Sequence, residues 1–238
     1  AKGKGANTVA VMSVYANTPQ GFYWLKSSGI NGPEDFPGHS IGNPPADASR
    51  VMWPLFAKTV GIDPDSVKFV NITPQAKIAS LKSNIIDITS DFYNEHDLKL
   101  REFGDDLGYV AWRNIGVNPY GNAVIVNPDF LASNKQMVAD FVAITQKAFA
   151  ACVENVDPCL DAIMKDVTGL DRDKDQWERI KELMRDDTTT TVALGAFSPE
   201  RMASDYELVE TYFSLEQPFD INDTYTNEFL ATDVLMTK

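Results

Sequence analysis

The feature that most constrains the fold is a regular alternation of strand and helix patterns between residues 39 and 89. Apolar, β-branched runs are separated by segments that carry helix start and stop residues, such as Asp47 or Ser49 before a helix and Gly61 after it. The predicted order is strand 39–42, helix 47–60, strand 67–72, helix 73–81 and strand 85–89. This alternation is typical of an α/β fold with mainly parallel strands.

Further strand and helix patterns flank this region. Short apolar runs predict strands at 8–15, 21–25, 107–112 and 123–126. From Asn134 onward the pattern is helical, and Met137, Val138, Phe141 and Val142 follow the spacing of a buried helix face. Ser198 and Pro199 form the start signal of a later helix.

The charge balance excludes two classes of partner. The chain of 238 residues has a net charge of −13, with 44 % hydrophobic residues. Nucleic acids and anionic membrane surfaces both require a basic patch, so neither is an expected partner. No run of 18 apolar residues is present, so we expect no membrane insertion.

Three predicted strand-to-helix loops carry the candidate ligand-binding residues. Open α/β sheets bind ligands beyond the carboxyl ends of their strands, where the following helices begin. These loops supply Asp47, Ala48, Ser49 and Arg50, then Thr73 and Gln75, and finally Ser90, Phe92 and Tyr93. Ordinary helix capping is the alternative explanation for each loop taken alone, whereas three loops at one sheet edge favour a site.

Aromatic and arginine residues near these loops leave two interpretations open. Trp53 and Trp112 could line a site for a planar ligand or belong to the core. Arg50 and Arg113 could clamp an anionic group or form surface ion pairs. We expect Phe92, Tyr93 and Ser49 to contact the ligand.

The sequence contains no recognisable catalytic or metal-binding motif. His39 and His96 are its two histidines, and the spacings of zinc, EF-hand, phosphate-loop and nucleophile-elbow motifs are absent. We therefore expect no catalytic residues, no metal and no cofactor.

Cys152 and Cys159 are the two cysteines of the chain. Seven residues of unbroken helix rise roughly 10 Å, too far for a disulfide. Asn155, Asp157 and Pro158 favour a turn between the two cysteines, which could bring the sulfurs together. A disulfide, which would indicate an oxidising compartment, and two buried thiols both remain open.

Several segments in a characteristic order resemble one known family. These are 21–30 (GFYWLKSSGI), 33–42 (PEDFPGHSIG), 57–70 (AKTVGIDPDSVKFV), 120–130 (YGNAVIVNPDF) and 225–230 (YTNEFL). Together they are similar to the periplasmic substrate-binding proteins of ABC importers, in the family that covers nitrate, sulfonate, taurine and thiamine-pyrimidine binders. Asn84 departs from the family pattern, which has glycine there.

The resemblance implies a two-lobe, type II periplasmic-binding-protein-like fold with the ligand in the cleft. Residues 1–27 and 118–238 would form lobe I, and residues 28–117 would form lobe II. The two crossovers would lie near Thr18 and Gln20 and near Asn118 and Tyr120, which adds these four residues to the expected ligand contacts. The family has a further stretch of lobe I before the position of Ala1, so lobe I is expected to be truncated at its N-terminus.

The resemblance also implies a function, a partner and a location. We expect a periplasmic solute-binding protein, without its signal peptide in this chain, that delivers a small polar or heterocyclic molecule to an ABC permease. An enzyme related to thiamine-pyrimidine synthesis is the alternative. Such enzymes resemble these binders and use a cysteine cluster and a pyridoxal phosphate lysine. A module that has lost its ligand is a third interpretation.

Overall fold

A computed structural model describes residues 2–167, 174–213 and 215–237. Its strands, in chain order, are β1 (Val9–Ser13), β2 (Gln20–Leu25), β3 (Ser40–Asn43), β4 (Lys68–Asn71), β5 (Ile88–Phe92), β6 (Leu107–Ala111) and β7 (Ala123–Val126). Its α-helices are α1 (Ala48–Val51), α2 (Trp53–Val60), α3 (Lys77–Lys82), α4 (His96–Phe103), α5 (Pro128–Ser133), α6 (Lys135–Glu154), α7 (Asp157–Asp166), α8 (Lys174–Met184), α9 (Asp187–Thr191) and α10 (Pro199–Tyr212). The α/β fold class is confirmed.

The chain divides into two compact units. Unit 1 contains residues 1–17 and 119–238, and unit 2 contains residues 18–118. The family resemblance assigns residues 18–27 to lobe I, but β2 lies within them and is hydrogen-bonded between β5 and β6 of unit 2. This boundary is corrected because strand pairing, which the local pattern does not specify, determines the unit to which β2 belongs.

Unit 2 is built on a five-stranded sheet with the order β4-β3-β5-β2-β6. β3 pairs in parallel with β4 and β5, whereas β2 is antiparallel to β5 and β6. Four strands of this sheet, β3 to β6, therefore run in one direction, as expected, and β2 is the exception. The chain enters this sheet through Thr18 at the edge where β5 and β6 end, so β2 must run in the opposite direction.

One face of this sheet packs against an aromatic core. Phe22, Phe36, Phe56 and Trp112 are fully buried, and Trp53 is 2 % exposed. The ring of Phe22 lies within 6 Å of each of the other four rings, at centroid distances of 5.8, 4.7, 5.6 and 5.8 Å respectively. Both tryptophans are therefore core residues, and the interpretation of them as a ligand wall is wrong.

Two local features of unit 2 refine the expected elements. The helix predicted over 47–60 is broken at Met52 into α1 and α2, because Pro54 at the start of α2 has no N–H to continue α1. The strand predicted at 85–89 lies instead at Ile88–Phe92, after a turn in which Asn84 adopts a φ of 53°. Asn tolerates this left-handed conformation, which explains how it can replace the family's glycine.

Unit 1 contains a two-stranded antiparallel sheet, β1 with β7, covered by α6. Val11 and Met12 of β1 pack with Val138 and Val142 of α6 in its core. The side chain of Gln146, fully buried, donates to the carbonyls of Leu194 and Ala231 at 3.0 Å each and accepts from the Ala231 N–H. These bonds fasten α6 to the later segments of the chain.

Two residues predicted on the buried face of α6 lie outside this core. Met137 is 61 % exposed and Phe141 is 56 % exposed. With Ile125 and Phe130 they line an apolar groove of about 330 Å³. The narrow sheet covers only one side of α6, so the buried stripe follows Val138, Val142 and Gln146 and excludes Met137 and Phe141.

The two cysteines form a disulfide at the corner between α6 and α7. Their Cα atoms are 5.9 Å apart. The turn at 155–156 ends α6 and starts α7, as the sequence indicates. Of the two interpretations that the sequence left open, the disulfide is confirmed.

Candidate functional site

The carboxyl edge of the unit 2 sheet brings together the three loops predicted to bind a ligand. β3, β4 and β5 are parallel, so Asn43, Asn71 and Phe92 at their ends lie at the same edge. Gln20 at the start of β2 pairs with Phe92, and β6 also ends at this edge. Residues far apart in the sequence therefore meet here.

The loop after β3 is organised around Asp47. Its carboxylate caps α1 by accepting from the Ser49 N–H at 3.0 Å and from Ser49 Oγ at 2.6 Å. Ser49 Oγ in turn accepts from Asn43 Nδ2 at 3.1 Å. Ser49 is fully buried, and its hydroxyl donates to Asp47 and accepts from Asn43. These bonds hold the Asp47 carboxylate in position.

Lys77 links all three loops. Its Nζ lies 3.1 Å from Asp47 Oδ2, in the loop after β3, and 3.4 Å from Ser90 Oγ, on β5. Lys77 itself belongs to α3, which follows the loop after β4. Burial opposes the charge of Asp47, but the hydrogen bonds from Ser49 and the Lys77 ammonium outweigh burial and hold the pKa of Asp47 below its ordinary value.

The Arg50 side chain contacts β4, and its contact with a ligand stays a prediction. Its guanidinium donates to Asn71 Oδ1 at 2.5 Å and lies 4.7 Å from the centre of the Phe69 ring. Arg50 therefore ties the start of α1 to the end of β4. Thr73 and Gln75, in the loop after β4, and Ala48 are exposed.

The end of β5 carries a second buried ion pair. Lys99 of α4 lies 2.9 Å from Asp91 Oδ2 and is 3 % exposed. Its ammonium is also 4.9 Å from the centre of the Tyr23 ring. Ser90 is fully buried, whereas Phe92 is half-buried at the edge.

Next to this pair lies a cluster of aromatic rings. The Tyr109 ring is 4.6 Å from Tyr23, 5.7 Å from Tyr93 and 4.7 Å from His96. The guanidinium of Arg113 lies 4.1 Å over the Tyr93 ring. Burial raises the pKa values of Tyr23 and Tyr109 well above that of a free phenol.

The start of β2 and the end of unit 2 are held together at the same edge. The Thr18 N–H donates to Asn118 Oδ1 at 2.9 Å, and the Gln20 N–H donates to Thr18 Oγ1 at 3.3 Å. The Tyr93 N–H donates to the Pro19 carbonyl at 2.8 Å. Thr18, Gln20 and Asn118 are thus placed with Tyr93, as the sequence analysis expects.

Tyr120, the remaining crossover residue, belongs to unit 1 and forms its contacts there. Its N–H donates to Asp205 Oδ2 at 2.8 Å, and its hydroxyl accepts from the Ser198 N–H at 2.8 Å. Burial raises the pKa of Tyr120, despite the Ser198 N–H and the nearby Arg201. Burial also raises the pKa of Asp205 to about 6.

Sequence reasoning missed Lys77, Lys99 and Asn43. Lys77 lies just beyond the predicted Thr73–Gln75 loop, so its place in the first turn of α3 was a usable signal. Lys99 has no such signal, because its partner is set by the packing of α4 on the sheet. Asn43 Oδ1 is buried and has no hydrogen-bond partner among the described residues.

Three ionisable groups at this edge have shifted pKa values. The pKa of Asp47 moves down and those of Tyr23 and Tyr109 move up, so each keeps one protonation state near neutral pH. In the described part of the chain, no group of three or more His, Cys, Asp or Glu side chains could hold a metal ion. None of the described helices is both long and apolar enough to cross a bilayer.

Residues 1–157 match the model of the family described as NMT1/THI5 like. A Legionella pneumophila protein named 4-amino-5-hydroxymethyl-2-methylpyrimidine phosphate synthase is 23 % identical over 237 residues, which cover 97 % of this chain and 72 % of the relative. Riboflavin-binding protein RibY of Chloroflexus aurantiacus is 18 % identical, with 97 % and 67 % covered.

Among solved structures, the periplasmic aliphatic sulphonate-binding protein SsuA of Escherichia coli superimposes with a TM-score of 0.70. The two proteins are 13 % identical, and the match covers 93 % of this chain and 70 % of SsuA. This likeness confirms the periplasmic-binding-protein-like fold expected from the sequence.

Proposed function

This chain belongs to the NMT1/THI5-like family, and from that membership we propose that it is the solute-binding component of an ABC importer. It captures a small polar or heterocyclic molecule at the carboxyl edge of the unit 2 sheet. It then delivers this molecule to a membrane permease. The proposal is supported by the binding role printed in the names of two similar proteins, RibY and SsuA.

The observation that carries the proposal is the link that Lys77, on the helix after β4, makes to the loop after β3 and to β5. The Asp47–Lys77–Ser90 network fixes the loops after β3 and β4 and the end of β5 relative to one another. Because these loops are already ordered, less conformational entropy is lost when a ligand binds to them. Binding needs this rigidity and requires no acid, base or nucleophile.

Two parts of this edge are proposed to contact the ligand. Phe92, half-buried at this edge, offers aromatic surface for a planar ring. Tyr93 is 8 % exposed beneath Arg113, so its proposed contact is with the part of the ring that remains exposed. Thr18, Gln20 and Asn118 offer polar groups beside it. Asp47 and Ser49 are proposed to support the site by holding the loop after β3 in its conformation. The exposed residues Ala48, Thr73 and Gln75 are proposed to border it.

We place the protein in an oxidising compartment such as the periplasm. The Cys152–Cys159 disulfide supports this location, because disulfides persist where the surroundings are oxidising.

The alternative is an enzyme on the same fold, favoured by the synthase among the relatives. The resemblance implies that such an enzyme needs a cysteine cluster and a lysine for pyridoxal phosphate. Both cysteines of this chain are joined in the disulfide. The buried Lys77 and Lys99 are each engaged in an ion pair, with Asp47 and Asp91 respectively. These residues do not fit that chemistry.

The test begins with native mass spectrometry of the purified protein, followed by thermal shift with riboflavin, a hydroxymethylpyrimidine, an alkanesulfonate and nitrate. A ligand at 100 times its Kd should stabilise the protein by about 2.7 kcal/mol. The absence of both a co-purified mass and any thermal shift would refute the binding role. Formation of an imine absorption band with pyridoxal phosphate would favour the enzyme.

A matched pair of variants tests the location of the site. Phe92→Ala should weaken binding of the identified ligand by about tenfold, since aromatic contacts at binding sites often contribute more than 1 kcal/mol. Phe141→Ala removes an exposed phenylalanine of unit 1 and should leave affinity unchanged. Equal affinities of the two variants would place the ligand elsewhere.

A further inference from the structure

The chain passes between the two units twice, once at residues 17–18 and once at residues 118–119. The residues on the unit 1 side of these two connections are Ala16 and Asn17 in the first and Tyr120 in the second. All three form specific contacts within unit 1. The hydrogen bonds of Ala16 and Tyr120 are with one helix, α10, and with Ser198, which caps it.

The first connection is held at Ala16 and Asn17. The Ala16 carbonyl accepts from Arg201 Nη2 at 2.6 Å, and Ala16 is 1 % exposed. Asn17 uses its N–H to bind the Leu183 carbonyl at 2.9 Å and its side-chain amide to bind the Arg185 carbonyl at 2.6 Å. The last carbonyls of a helix have no partner within it, so Asn17 serves as a cap for α8.

The second connection is held at Tyr120. Its backbone N–H donates to Asp205 Oδ2 and its hydroxyl accepts from the Ser198 N–H, each at 2.8 Å. The guanidinium of Arg201 lies 4.2 Å over its ring, close enough for a cation–π interaction. The Phe197 ring packs edge-on at 5.2 Å.

The spacing of the α10 residues explains how one helix reaches both connections. Ser198, Arg201 and Asp205 are separated by three and four positions, so they lie on one face of α10. The Arg201 side chain is oriented by Asp186, whose Oδ2 lies 2.5 Å from Nη1. Asp186 is itself fixed, because it caps α9 in a reciprocal capping box with Thr189.

We propose that α10 anchors the unit 1 ends of both connections, with Arg201 as the residue that binds the two of them at once. Arginine suits this role because its planar guanidinium can donate along two edges while its face stacks on a ring. A lysine ammonium has one donor centre and cannot make the Asp186, Ala16 and Tyr120 contacts together. The anchor lies within unit 1 and does not depend on the proposed function.

The test is hydrogen exchange of the ligand-free protein, read at the amides of Asn17, Tyr120 and Gly121. The Gly121 N–H donates to the Tyr15 carbonyl and so reports on both connections. In Arg201→Met, exchange at these amides should accelerate about tenfold or more, since charge-assisted bonds are lost. The amides of α6 should be unchanged.

Lys135→Met is the matched control, because it removes the same charge from an exposed ion pair with Glu228 in the same unit. It should leave the three reporter amides unchanged. Arg201→Lys keeps the charge and should still accelerate exchange at Asn17 and Tyr120, which provides a milder variant if Arg201→Met does not fold. The proposal is overturned if the Arg201 variants match the control, or if their exchange rises equally in α6 and at the connections.

Discussion

Replacement of Lys77 by Met should strongly destabilise unit 2. The Lys77 side chain is 10 % exposed and that of its partner Asp47 is 15 % exposed, so the pair is nearly buried. Met retains most of the apolar stem of Lys77 but leaves the Asp47 carboxylate without its counter-charge. Removal of one partner of a buried ion pair costs about 3 to 5 kcal/mol.

The local structure places the expected cost near the lower end of that range. Asp47 keeps two hydrogen bonds from Ser49 and some contact with solvent, so part of its charge remains compensated. We therefore expect Lys77→Met to lower the free energy of unfolding by about 3 kcal/mol. Lys82→Met, on the same helix, removes an exposed pair with Glu102 and should cost less than about 1 kcal/mol.

Urea unfolding monitored by tryptophan fluorescence would measure both variants, since Trp24, Trp53 and Trp112 lie in unit 2. Asp47→Asn combined with Lys77→Met should recover part of the loss, because no buried charge remains. The pKa of Asp47 is lower in the folded than in the unfolded state, so its carboxylate stabilises the fold at pH values above the pKa of the unfolded state. This stabilisation is lost as pH falls through the pKa of the folded state. The difference in the free energy of unfolding between wild type and Lys77→Met should therefore become smaller below about pH 4. A loss no larger than that of Lys82→Met would refute the assigned network.

Three further predictions concern other parts of the chain. Burial raises the pKa of Asp205 to about 6, so its contribution to stability is complete below about pH 4 and is lost as pH rises through 6. This contribution amounts to about 3 kcal/mol. Thermal unfolding at pH 4 to 7 should show that Asp205→Asn lacks this pH dependence. Replacement of both cysteines by Ser should lower the free energy of unfolding by about 2 kcal/mol, and thiol titration of the unreduced, denatured wild type should find no free thiol; two free thiols would contradict the disulfide. Gly42→Ala should cost about 2 kcal/mol in urea unfolding, because its Cβ would lie 2.5 Å from Ile86 Cδ1, and an unchanged midpoint would contradict the tight packing.

Local signals in the sequence predicted many of the element ends correctly. Gly61 ends α2 in the left-handed conformation, Asp47 caps α1 and Ser198 caps α10. These assignments succeed because a cap depends on a residue and its neighbours within one turn of helix. The same signals located the three loops of the candidate site, since each loop follows a strand pattern and precedes a helix start.

Signals of short range could not predict the contacts within that site. Lys77 binds Asp47, 30 positions away, and Ser90, 13 positions away. The burial of Ser49 and the pairing of Arg50 with Asn71 likewise follow from strand order and register. For this reason the expected contact of Ser49 with a ligand gave way to a supporting role.

Local patterns were sufficient to predict the alternation of strands and helices, many of their caps, the family and the loops at which a ligand is proposed to bind. These properties arise from residue periodicity and from interactions within a few positions. The tertiary structure decided the antiparallel placement of β2, the exposure of Met137 and Phe141, the Lys77 network and the hold of Arg201 on Ala16 and Tyr120. Each of these depends on which distant surfaces pack together, and hydrophobic periodicity marks a surface as apolar without specifying its partner.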